Sequence, residues 1–156
     1  RCAMTLAEIV QGKHMTPAVV SIHPDQNLQE AIDLLCSHRI GALIVVHPEN
    51  GRIVGICSER DVLNSLCSSR RRDPTAIRVR EIMTSEVVIG EAQERATTAL
   101  RVMSTRHIRH LPVLEGARLV GVITIGDVLR ELYEEDEVRI HSLDDYLSGT
   151  YRNDVY

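Results

Sequence analysis

A seven-residue segment of this chain recurs in altered form: Gly55-Ile56-Cys57-Ser58-Glu59-Arg60-Asp61 returns as Gly121-Val122-Ile123-Thr124-Ile125-Gly126-Asp127. Each copy follows a short apolar run and precedes a helical pattern, and a repeat of this kind limits the architecture before any local propensity does. The echo extends outward. His14-Met15-Thr16-Pro17 is answered by Ile82-Met83-Thr84-Ser85, and Arg39-Ile40 by His107-Ile108, both pairs 68 positions apart. The offset falls to 66 at the later motif because the loop from His47 to Val54 is two residues longer than the stretch from Glu115 to Val120. Two copies of one small unit therefore fill most of the chain, at 14–67 and 77–134. A linker covers 68–76, a lead-in 1–13 and a tail 135–156. The total of 156 residues suits two half-size units sharing a core.

Each copy reads as strand, helix, strand, strand, helix. Val19-Val20-Ser21-Ile22 forms a short strand, and Leu28, Ala31, Ile32 and Leu35 follow at helical spacing. Val87-Val88-Ile89 and then Ala96, Ala99, Leu100 and Met103 repeat the pattern. Ala42–Val46 and Arg52–Cys57, separated by Asn50-Gly51, form a hairpin. Leu111–Leu114 and Arg118–Ile123, separated by Glu115-Gly116, form another. The closing helices carry Val62, Leu63 and Leu66, and Val128, Leu129 and Leu132.

The core must be aliphatic, since 44% of residues are hydrophobic but none is Phe or Trp; a planar ligand would be gripped by aliphatic side chains. A net charge of −4 argues against general nucleic-acid binding, and the one basic run, Arg70-Arg71-Arg72, reads as a solvated linker. Cys2, Cys36, Cys57 and Cys67 lack the paired spacing of a zinc site. Cys36 and Cys57 lie in apolar patterns, which predicts buried free thiols in a reducing compartment. No apolar stretch reaches the roughly 18 residues of a membrane span, so a cytoplasmic protein without a membrane contact is expected. The start at Arg1 leaves a removed leader open.

The element order and the residues Gly55, Ser58 and Asp61, repeated as Gly121, Thr124 and Asp127, resemble the cystathionine-β-synthase (CBS) domain family, whose tandem pairs are called Bateman modules. The resemblance covers about residues 14 to 134 and is carried by two Gly-x-x-Ser/Thr-x-x-Asp segments in register with Met-Thr and Arg/His-Ile elements. It is nearest to the stand-alone type. It implies an α/β (α+β) fold of two β-α-β-β-α repeats packed about a pseudo-twofold axis, with two clefts between them. It also implies a regulatory rather than catalytic protein that binds an adenosine-containing ligand: AMP, ADP, ATP, S-adenosylmethionine or NADH. AMP or ATP is the leading expectation, as a regulatory ligand rather than a required cofactor.

An ionised carboxylate offers two acceptor oxygens to a ribose diol, which makes Asp61 and Asp127 the candidates for that role. Ser58 and Thr124 stand at strand-to-helix transitions, where hydroxyl and helical N–H groups can meet a phosphate. The same four residues also spell a helix capping box, and both roles can coexist. Arg60 can pair with phosphate, whereas Gly126 replaces it in the second copy, leaving Arg109 and His110 to supply charge there. Along a strand entrance His107 and Arg109 would share one face and His110 the other. From the resemblance, one cleft is expected from Thr16, Val19, Val20, Arg39, Ala42, Ser58, Arg60 and Asp61. The other is expected from Thr84, Val87, Val88, His107, Arg109, His110, Pro112, Thr124 and Asp127. Gly41-Ala42 stands where the second copy has Arg109-His110, so the clefts should differ in polarity.

All four tyrosines, Tyr133, Tyr146, Tyr151 and Tyr156, fall at the acidic C-terminal end, a composition suited to a partner surface. The resemblance implies a homodimer. Two functions remain at this level: an adenine-nucleotide sensor, with or without a regulated protein partner, and a dimerising interaction module with empty clefts. No metal site and no catalytic acid–base pair is legible.

Overall fold

Helix α2 (Leu28–His38) begins where Asn27 caps it. The Asn27 side chain accepts the Glu30 N–H at 3.0 Å, and the Glu30 carboxylate accepts the Asn27 N–H at 2.7 Å. That backbone bond, with help from the Gln26 side chain, holds the Glu30 carboxyl below the usual carboxylate range. The helix buries Leu28, Ala31 and Leu35 along one face, as the spacing predicts, and each fully buried leucine contributes about 1.5–3 kcal/mol. It ends at Arg39, which takes the left-handed conformation with φ 52°.

The computed structural model describes residues 4–12, 19–68 and 73–134. The first repeat contains β1 (Ser21–Ile22), α2, β2 (Ala42–Val46), β3 (Ile53–Ser58) and α3 (Glu59–Ser68). The second contains β4 (Gly90–Glu91), α5 (Ala96–Thr105), β5 (His110–Glu115), β6 (Arg118–Thr124) and a helix α6 over 125–134. Short helices α1 (Leu6–Gly12) and α4 (Val79–Ile82) precede them, with a 3₁₀ turn at Pro74–Ala76. Each sheet has three strands, ordered β1-β2-β3 and β4-β5-β6, the first pair parallel and the second antiparallel. Even the irregularities match, with bulges at Val45/Val46 and Val113/Leu114.

What joins the repeats is an exchange of lead helices. Leu6 and Ile9 of α1 are buried in the second repeat's core, among Ala96, Ala99, Met103, Leu111, Val113 and Ile123. Val79 at the start of α4 is buried in the first repeat's core, among Ile22, Leu28, Leu43 and Val45. The backbone bonds reciprocate. Leu6 N–H donates to Glu94 and Ala7 to Ala92, while Val79 donates to Gln26 and Arg80 to Pro24, all at 2.8–3.0 Å. Ala96 donates to Met4 and Leu28 to Ile77 in the same way. This reciprocity is the pseudo-twofold relation in hydrogen bonds. An ion pair between Arg80 and Asp25 and a bond from Arg78 to the Asp25 carbonyl reinforce one side.

Several expectations are corrected. The first strands are only two residues long: Val19 and Val20 precede β1, and Val87–Ile89 precede β4 rather than forming it. Cys57 is buried but Cys36 is exposed, because it lies on the outer side of α2. Of the apolar residues in the closing helices, Val62 and Val128 are buried, whereas Leu63 is 61% and Leu129 50% exposed. The Arg70–Arg72 run, Cys2, Thr16 and the tail with Tyr146, Tyr151 and Tyr156 lie outside the described residues. Among the described residues no helix is long and apolar enough to cross a membrane.

Candidate functional site

Strand β3 runs into α3 at Ser58, and the turn is locked by Asp61. Its Oδ2 accepts the Ser58 N–H at 2.8 Å and the Ser58 hydroxyl at 2.6 Å, and the Asp61 N–H approaches the Ser58 oxygen at 3.4 Å. The second copy repeats this: Asp127 Oδ2 accepts from Thr124 N–H at 2.6 Å and Thr124 Oγ1 at 2.8 Å. The capping box is therefore real in both copies. It also limits what the motif offers a ligand. Ser58 gives its proton to Asp61, so toward a phosphate it presents a lone pair rather than a donor. The Glu59 N–H at the head of α3 is already bonded to the Gly41 carbonyl at 3.1 Å. Of the two Asp61 carboxylate oxygens, Oδ2 is taken up by the cap, whereas the sequence reading counts on both.

This turn forms one wall of a cleft of about 240 Å³. Gly41, Ile56, Ser58, Glu59, Arg60 and Asp61 come from the first repeat; Thr84, Glu86, Val87, Val88, His107, Ile108, Arg109 and His110 come from the second. The volume lies just under the roughly 300–1,000 Å³ of common small-ligand sites. Its lining mixes apolar faces with carboxylates, two guanidinium groups and two imidazoles. Backbone pairing closes one edge: Ile56 N–H donates to Thr84 O at 3.0 Å and Thr84 N–H to Ile56 O at 2.9 Å.

The grouping of candidate residues by repeat is thereby corrected. Ser58, Arg60 and Asp61 share their cleft with Thr84, Val87, Val88, His107, Arg109 and His110, not with Val19, Val20, Arg39 and Ala42. A twofold exchange brings non-equivalent parts of the two copies together. Arg109 and His110 consequently join Arg60 instead of compensating for Gly126. Val20 packs on the first core, its carbonyl accepting the Ile44 N–H; Val19 is half-buried and Arg39 caps α2. Ala42 and Pro112 are buried inside β2 and β5. Thr124 and Asp127 lie at the other motif, where Asp127 is 8% exposed and Arg130 stands 4.0 Å away.

His107 does not begin a strand. It adopts a left-handed φ of 54°, matching Arg39 in the first copy, and β5 starts only at His110. A non-glycine residue held there is uncommon, and the turn breaks the alternation, so His107, Arg109 and His110 all line the same cleft. Gly41, Ile56, Glu59, Glu86 and Ile108 are lining residues absent from the candidate set. Glu59 could have been found inside the motif itself; Glu86 carries no repeated signal.

Cys57, on β3, directly precedes Ser58 of this site. Burial, with the Asp61 charge as a second cause, pushes the Cys57 thiol up to about 12, so at neutral pH it stays protonated and does not act as a nucleophile.

The sequence profile of the CBS domain matches residues 6–68 and 79–134. An uncharacterised 33.4 kDa protein of a ribosomal RNA operon in Thermofilum pendens is 43% identical over 115 residues, which cover 74% of this chain and 37% of that protein. This chain thus spans well under half of that relative's length. The crystal structure of the CBS-domain protein ATU1752 from Agrobacterium tumefaciens superposes with a TM-score of 0.73 at 30% identity, covering 82% of this chain and 92% of the other. The CBS domain pair of protein MJ0100, solved with 5′-methylthioadenosine and S-adenosyl-L-methionine, gives a TM-score of 0.72 at 25% identity, covering 85% and 98%.

Proposed function

This chain belongs to the CBS-domain family, and from that premise we propose that it is a non-enzymatic regulatory module that binds an adenine nucleotide between its repeats and serves as an energy or metabolite sensor. The observation that carries this reading is the cleft in which the Ser58–Asp61 turn of one copy faces Thr84–Val88 and His107–His110 of the other. A ligand held by both copies favours the arrangement in which both can touch it, which is how a binding event becomes a signal. The adenosyl ligands of MJ0100 support the nucleoside part of the reading. Here Asp61 Oδ1 receives the ribose hydroxyls, Val87 and Val88 flank the base, and Arg60 and Arg109 meet phosphate, as in AMP or ATP. NADH and S-adenosylmethionine are the alternatives. By the reciprocal pattern, Thr124 and Asp127 with Val19, Val20, Arg39 and Ala42 form a second cleft; Pro112 serves as core.

Calorimetric titration with AMP, ADP, ATP, NADH and S-adenosylmethionine tests this. One of them is expected to bind, and Asp61→Ala to weaken it at least about tenfold, equivalent to about 1.4 kcal/mol. Because the substitution also removes a cap worth about 0.5–2 kcal/mol, circular dichroism must show the variant folded. If none of the five binds to folded, nucleotide-free protein, the sensor reading fails.

A second reading, a module that dimerises through its helices, is favoured by the apolar residues left in solvent. Leu63 on α3 and Leu129 on α6 are equivalent in the two copies, and each has an exposed apolar residue about one turn further along its helix, Leu66 and Tyr133, the latter 66% exposed. Such rows mark contact surfaces. Sedimentation should show a dimer that Leu63→Glu with Leu129→Glu converts to monomer; a wild-type monomer would remove this reading.

A further inference from the structure

The two copies differ most where they meet. Gly41-Ala42 leads into β2, and Arg109-His110 leads into β5. Their backbones are equivalent: the Gly41 carbonyl accepts the Glu59 N–H, and the Arg109 carbonyl accepts the Ile125 N–H, both at 3.1 Å. Only the side chains distinguish them. Gly41 is not among the glycines with positive φ, Gly51 and Gly116, so its backbone does not demand a glycine. Space does. A Cβ at position 41 would stand 2.8 Å from Nε2 and 3.2 Å from Cε1 of His110, and 3.7 Å from a carboxylate oxygen of Glu59. The missing side chain of one repeat is the room taken by the imidazole of the other.

We propose that His110 is a specificity-determining residue of the Asp61 cleft and that Gly41 is its positioning residue. Resting on the nucleotide reading above, this assigns the cleft a phosphorylated nucleoside in preference to the free nucleoside. The charge distribution supports the assignment. The cleft gathers Arg60 from one copy with His107, Arg109 and His110 from the other, and the positions corresponding to Arg60, Arg109 and His110 across the twofold are Gly126, Gly41 and Ala42. Arginine forks match phosphate oxygens in pairs, and an imidazole N–H adds a donor whose direction is fixed only while the ring has its place. A methyl group at 41 meets the end of a side chain rather than backbone, so the ring swings away and the fold is kept.

The test compares AMP with adenosine, the same nucleoside without phosphate, by calorimetry on the full chain. Wild type should bind AMP at least about tenfold more tightly than adenosine, about 1.4 kcal/mol. His110→Ala should lower AMP affinity more than adenosine affinity, so that the preference shrinks while Arg60 and Arg109 keep part of it. Gly41→Ala should reduce the preference likewise, and the double variant should be no worse than His110→Ala alone, since both changes act on one ring. Equal loss of AMP and adenosine in His110→Ala, or losses that multiply in the double variant, would overturn the proposal. Should Gly41→Ala not fold, His110→Ala decides. If wild type binds both compounds equally, or binds neither, this proposal falls; the nucleotide reading falls with it only if ADP, ATP, NADH and S-adenosylmethionine fail to bind as well.

Discussion

Gly55→Val should lower the unfolding free energy by about 3 kcal/mol, the upper end of what overpacking usually costs, read as a drop in the urea midpoint. A Cβ at Gly55 would lie 2.6 Å from Sδ and 3.1 Å from Cγ of Met83, and 3.1 Å from the Thr84 carbonyl. The thioether can move aside, because methionine is flexible. The carbonyl cannot, because Thr84 is bonded to Ile56 in both directions. Relief therefore requires breaking the pairing that edges the cleft, so ligand binding should fall with stability. Gly121 shows the same crowding against Val10, with Cγ1 at 2.7 Å. The glycine of the repeated motif is thus explained by the arm of the other copy crossing over it. Gly51→Ala is the control: it has open space and a φ of +66°, and should cost only the roughly 1–2 kcal/mol of a left-handed residue. A Gly55 variant as stable as wild type would refute the crossing.

Leu6→Ala should cost about 2–5 kcal/mol, the range for deleting a buried leucine side chain. Leu6 is fully buried, with its Cδ1 so near Gly90 that a Cβ there would lie 2.6 Å away. By sequence it belongs to a lead-in; by packing it belongs to the core of the second repeat. Denaturation monitored by circular dichroism should show one cooperative transition moved to lower urea. A loss below about 0.5 kcal/mol, the size of ordinary surface changes, would mean that α1 does not hold that core.

The hairpins and the four longer helices were legible because their signals are local. Leu28, Ala31 and Leu35 mark a helix by spacing, and Asn50-Gly51 marks a turn by the backbone it allows. Helix α4, with four residues, is too short to display a period, and α1 was hidden by register. Thr5 and Arg78 open the equivalent lead helices 73 positions apart, whereas the Met-Thr elements lie 68 apart, so an alignment on Met-Thr passes over the helices. The candidate residues of the cleft were mostly legible by type, but not by partnership. Alignment sets Asp61 beside Asp127 and His110 beside Ala42, as equivalents; the fold sets Asp61 and Gly41 beside His110, as neighbours. Only the exchange of lead helices reveals this, and it depends on contacts between residues far apart in the chain.

Reciprocal lead helices also bear on how such a chain can come into being. A polypeptide carrying one copy alone would have an empty socket on its core and an arm with nothing to dock into. Two such polypeptides would each satisfy the other by swapping arms, giving a closed pair that falls apart on dilution. Tandem fusion removes that dependence, since the tether holds the halves at an effective concentration on the order of millimolar. It also frees each half to diverge: a glycine facing a histidine on one side of the axis, with arginine and alanine at the corresponding positions on the other, is an asymmetry that two identical subunits could never encode.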